Sequence, residues 1–111
     1  MEDSFMENII KQIAEENGWV TVPFYSPLHG EDVLLYMEQE DADMANEVIQ
    51  EGYHFSAEYI DSTNCSLLTC YVDDTEEVVA TEMSKPAGEG FYDSMVKIVK
   101  KGYEIMKARQ T

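Results

Sequence analysis

The chain has 111 residues, with 23 Asp and Glu against 7 Lys and Arg and a formal net charge of −16. Its 44% hydrophobic and 11% aromatic content suits one folded domain spanning 1–111 rather than a disordered polyanion. The sign of the charge points away from nucleic acid and anionic membranes, which attract Lys and Arg, and makes a basic protein the favoured class of partner.

In chain order, Ser4 and Glu7 have the spacing of a capping box, and Phe5, Met6, Ile9, Ile10, Ile13 and Ala14 recur at helical spacing. An amphipathic helix is predicted over 4–17, closed by Asn17-Gly18, with Glu7 and Lys11 paired on its outer side. Trp19–Tyr25 is predicted as a strand with Val20, Val22 and Phe24 on one face. Pro23 cannot donate to a ladder and predicts an edge position for it. Residues 26–32 are expected to be a loop and Val33–Glu38 the return strand of a hairpin. One helix from Val33 to Ile49 is the competing reading. Leu35 and Tyr36 would fall off its apolar face and Asp41 would interrupt it, so the strand is preferred.

Asp41–Glu51 is predicted helical, with Met44, Ala45, Val48 and Ile49 on one face and Glu40, Asp43, Glu47 and Glu51 on the other; Gly52 is the stop. Three strands follow, Tyr53–Ile60, Cys65–Val72 and Glu77–Met83, with turn clusters at 61–64 and 73–76 that make both connections antiparallel hairpins. Tyr53, Phe55, Ala57 and Tyr59 alternate onto one face. After the breaker stretch 85–90, Phe91–Arg109 is the last helix. Phe91, Met95, Ile98, Val99, Gly102, Ile105 and Met106 form its apolar face, and Lys97, Lys100, Lys101 and Lys107 point outward. Gly102 within that face costs about 1 kcal/mol against Ala, which predicts close packing on the sheet. The order α-β-β-α-β-β-β-α predicts an α+β fold: an antiparallel sheet of about five strands with helices mainly on one face.

No motif for chemistry emerges. His29 and His54 are not a ligand pair; His54 and Glu58 share a strand face but supply two ligands where zinc takes at least three. Asp41 and Asp43 begin like a calcium loop, but Ala45, Asn46 and Gly52 stand where that loop needs a ligand, Gly and Glu. Cys65 and Cys70, five apart on a strand, are predicted on opposite faces as free thiols. No serine has GxSxG context, and the Gly-Glu-Gly-Phe at 88–91 lacks a phosphate loop's Lys-Ser/Thr. Glu38, Glu58 and Glu82 are expected to face solvent. No catalytic residue, metal or cofactor is therefore predicted. With no visible signal peptide and no apolar run near the ~20 residues of a membrane span, a cytoplasmic location is expected.

What remains is the placement of charge. Residues 38–52 carry six acidic side chains and no basic one. Positions i and i+4 on a helix rise ~6 Å, which resembles the regular charge of one nucleic-acid strand. The row Glu40, Asp43, Glu47 and Glu51, beside the turn carboxylates Asp73, Asp74, Glu76 and Glu77, is the expected partner-binding surface. It suits an inhibitor or decoy that occludes the nucleic-acid-binding surface of a basic protein, similar in charge and size to anti-CRISPR, anti-restriction and immunity proteins. A solvated face serving solubility alone is the plain alternative. Small acidic α+β chains with a helix at each end and a curved sheet also resemble type III secretion chaperones, a family that places three strands before its middle helix where two are read here. That resemblance implies a dimer binding an unfolded apolar peptide. An enzyme or small-ligand domain is the third reading, which would require Glu58, His54 or a thiol to converge in a pocket.

Overall fold

The structure is a computed structural model that describes Ile9, residues 11–84 and residues 89–110. The first helix, α1, is seen at 11–16. Gly18 takes φ +72°, and the Trp19 N–H donates to the Ala14 carbonyl at 2.8 Å, so the chain leaves α1 through the predicted glycine cap. Ala14 is buried, but Ile13, predicted on the apolar face, is 55% exposed. It borders a hollow shared with Ala14, Asn17, Trp19 and Tyr36 rather than entering the core. Ser4, Phe5, Met6, Ile10, the Glu7–Lys11 pair and most of the breaker stretch lie outside the described residues.

Strands β1 (Val20–Ser26) and β2 (Glu31–Met37) form a hairpin in register from Val20↔Met37 to Ser26↔Glu31. The Gly30 N–H returns to the Ser26 carbonyl at 2.8 Å. The loop is therefore shorter than predicted, because the ladder continues to Glu31. Residues 33–37 are strand, and α2 (Gln39–Gln50) starts two residues earlier than predicted, with Glu38 at its N-cap. Gly52, at φ +94°, makes the turn into β3 (Tyr53–Ile60). A 3-10 turn, Asp61–Thr63, leads to β4 (Cys65–Val72), then β5 (Val78–Ser84) and α3 (Glu89–Gln110).

The sheet has five strands in the order β2-β1-β3-β4-β5. Every neighbouring pair is antiparallel except β1 and β3, which are parallel. The sheet is thus mixed, and the expected edge position of β1 is overturned: β1 lies between β2 and β3. Its seam with β3 is bridged at Tyr25↔Ser56, beyond Pro23, so the proline sits where that ladder asks little of its backbone.

Alternation decides what each face carries. One face presents Val22, Phe24, Met37, Phe55, Leu68 and Cys70, all without exposed surface. Ala42, Ala45 and Val48 of α2 and Met95, Ile98, Val99 and Met106 of α3 close over it. The Phe24 and Phe55 rings stack at 5.2 Å across the β1–β3 seam. A Cβ on Gly102 would come within 2.9 Å of the Cys70 Sγ and 3.3 Å of the Phe55 ring, so the predicted close approach of α3 to the sheet is present. Cys70 lies on this covered face and Cys65 on the other, both as free thiols. Burial pushes the Cys70 thiol up to about 12. No helix among the described residues is long and apolar enough to cross a membrane.

Candidate partner-binding surface

The polar side of α2 follows from its period: with Ala42, Ala45 and Val48 turned to the sheet, Glu40, Asp43 and Glu51 are exposed and Glu47 half-buried. Gln39 Nε2 donates to the Asp43 carboxylate at 2.8 Å, one turn along the same side. The carboxylate row is not bare. The last turns of α3 run beside it, and Lys107 Nζ lies 3.4 Å from Glu47 and 5.2 Å from the centre of the Tyr103 ring. Partial desolvation lowers the Lys107 ammonium, but Glu47 and Tyr103 outweigh it and hold the group above its ordinary range.

The β4–β5 turn is brought to the same end of the molecule. The Asp73 N–H donates to the Gly52 carbonyl at 2.9 Å, which fixes the turn against the residue that follows Glu51. Within the turn Glu76 takes φ +61° and its N–H donates to the Val72 carbonyl at 2.8 Å. Glu77 meets Arg109 at 3.4 Å, and the hydrogen bonds and charge of that carboxylate hold the guanidinium above its ordinary range. Six of the predicted carboxylates, Glu47, Glu51, Asp73, Asp74, Glu76 and Glu77, therefore share one end of the molecule, and Asp43 continues the row about two turns before Glu51 on the same side of α2. Glu40 stands apart, at the start of α2. Among the described residues, Glu40, Asp43, Glu51, Asp74 and Glu76 form no ion pair, whereas Glu47, Asp73 and Glu77 each face a cationic or ionisable side chain.

Sequence reasoning singled out His54 but missed its partners, Asp32 and Asp73. Its Nε2 lies 3.2 Å from Asp32 and its Nδ1 3.3 Å from Asp73. Its ring stacks on Tyr71 at 5.5 Å and meets the edge of Tyr25 at 6.5 Å. This cluster sits on the sheet face away from α2 and α3, and it ties β2, β3 and the acidic turn together. Beside it, the Ser56 and Thr69 hydroxyls bond to each other across β3 and β4. Burial, then the Asp73 and Asp32 carboxylates, raise the Tyr71 phenol. With a carboxylate at each ring nitrogen, His54 is engaged as a structural staple.

Glu82 departs from expectation: it lies on the covered face opposite Leu68, and Lys101 reaches over to it at 2.6 Å. Glu38 is likewise not a strand residue but the N-cap of α2. Among the described residues no group of three or more His, Cys, Asp or Glu is arranged to hold a metal ion. The described residues line a hollow beside α1, of about 160 Å³, and a groove of about 490 Å³ between α2 and α3. Neither is lined by His54, Glu58, Cys65 or Cys70. Comparisons with protein-family models, with curated proteins and with solved structures find no match to this chain.

Proposed function

We propose that the protein is an acidic binding protein that covers the nucleic-acid-binding surface of a basic partner, acting as an inhibitor or decoy of the anti-CRISPR, anti-restriction or immunity type. The observation that carries this reading is the junction of two acidic elements. The backbone bond from Asp73 to Gly52 sets the turn carboxylates beside Glu51, so the negative charge is mounted on ordered backbone and not on a tail. Charge held in place does not have to be ordered on binding, and a complementary field accelerates encounter.

The neutralised positions refine the surface. Glu47 and Glu77 face Lys107 and Arg109, so Asp43, Glu51 and Asp74 are the better anchors for a foreign cation. Capture from an extract of the native host at low salt would supply the partner, and titration of the purified pair would test the reading. Triple reversal, Asp43→Lys, Glu51→Lys and Asp74→Lys, is expected to weaken binding by at least about tenfold, with a steep salt dependence in the native chain. Binding that survives the reversal at low salt removes the reading.

One feature favours the chaperone alternative: Val78 and Met83 of the edge strand β5 are exposed on the face away from α2 and α3, where an apolar peptide segment would lie. That reading requires a dimer, and a monomer in sedimentation equilibrium would end it.

A further inference from the structure

The groove between the starts of α2 and α3, about 490 Å³ in volume, combines three features. Its floor is apolar, made by the half-buried side chains of Met44, Tyr92 and Val96. The Tyr92 ring is fixed from two sides: it stacks on Trp19 at 5.3 Å, and its hydroxyl accepts the Glu38 N–H at 3.3 Å. The walls differ in sign. Glu38, Glu40 and Asp41 stand on the α2 side, and Lys97 and Lys100 with Asp93 on the α3 side. Among the described residues neither lysine forms an ion pair, so the α2 wall keeps its charge. The phenol senses that field: burial raises it most, the Glu38 N–H bond lowers it, and the Glu38, Asp41 and Asp93 carboxylates raise it further.

We infer that this groove receives a single arginine side chain of the basic partner. The flat guanidinium suits a site lined by an aromatic ring and carboxylates, since it packs against the ring while its fork of N–H donors reaches the carboxylates. The aliphatic stem lies along Met44 and Val96. Lys97 and Lys100 repel a second adjacent cation and favour an acidic neighbour, so the groove selects an isolated arginine over a basic run. The inference rests on the reading that the partner is a basic protein, but it uses different residues from the acidic end.

The test is methyl NMR of the full chain titrated with acetyl-Ala-Arg-Ala-amide and with the neutral citrulline counterpart. The Met44 and Val96 methyl signals are expected to shift and saturate with the arginine peptide, with the citrulline peptide at least about tenfold weaker because its charge-assisted bonds are lost. Val96→Trp, which fills the groove, is expected to abolish the response. Should that variant fail to fold, the surface pair Glu40→Gln and Asp41→Asn is expected to weaken it severalfold, while Asp74→Asn with Glu76→Gln leaves it unchanged. Equal binding of the two peptides, or no methyl response, overturns the inference. So does a response that moves to the β4–β5 turn and is lost in the Asp74/Glu76 variant, although that result leaves the acidic end standing as a cation-binding surface. The triple reversal described above decides that surface separately.

Discussion

On the face covered by α2 and α3, Phe24, Phe55, Leu68 and Cys70 have no exposed surface; on the opposite face Leu34 is 62% exposed, and the centre of packing is a histidine held between two aspartates. The covered face is specified by volume. A missing methylene leaves a void and an added one has nowhere to go. The other face is specified by pairing of polar groups in partial contact with water, where a lost contact is largely replaced by solvent. The same strands carry both faces, so their alternation divides stability from surface chemistry residue by residue.

Substitutions should break this contrast in a definite order. Phe55→Ala is expected to cost about 3–5 kcal/mol in urea unfolding, through lost burial and the cavity left beside Phe24. Gly102→Ala is expected to cost about 1–2 kcal/mol, because a Cβ 2.9 Å from the Cys70 Sγ overpacks the seam by more than the gain in helix propensity. Cys70→Ala in the same chain should return part of that loss, so the double variant is less destabilised than the sum of the singles. Removing His54 by His54→Ala should cost about 1 kcal/mol, since the ring is partly hydrated and its partners are exposed. Leu34→Ser should change stability by less than about 0.5 kcal/mol.

The buried thiol adds a prediction in pH. Cys70 is held at about 12 against an ordinary value of 9.0, so the unfolded chain releases this proton before the folded chain does. The contribution of the protonated thiol is whole below about pH 9 and is lost as pH rises toward about 12. Urea midpoints of the native chain should therefore fall more steeply above pH 9 than those of Cys70→Ala. A thiol reagent should label Cys65 in the folded chain and reach Cys70 only on unfolding.

The covered face was legible in the sequence because its rules are local. Val22 and Phe24 alternate, Met95, Ile98, Val99 and Met106 recur at helical spacing, and Gly102 interrupts that run where α3 touches Cys70 and Phe55. Residues 33–37 were legible as strand because Leu35 and Tyr36 have no place on a helix's apolar face. The position of β1 was not, because Pro23 states what its own backbone lacks and not how short the neighbouring seam is. The carboxylates of the candidate surface were visible, but their partners were not. Lys107–Glu47 and Arg109–Glu77 depend on how α3 lies beside α2 and the β4–β5 turn. Asp32–His54–Asp73 depends on which strands become neighbours. No residue spacing in the chain encodes either.

The ordered acidic end, where the β4–β5 turn meets the end of α2, is the proposed binding site for a basic partner. Its most direct test is the affinity of the purified pair at low and physiological salt, for the native chain and for the Asp43→Lys, Glu51→Lys, Asp74→Lys variant. Binding is expected to weaken steeply with salt in the native chain and to fall by at least about tenfold on reversal at low salt. Equal affinity of the two chains at low salt would contradict it.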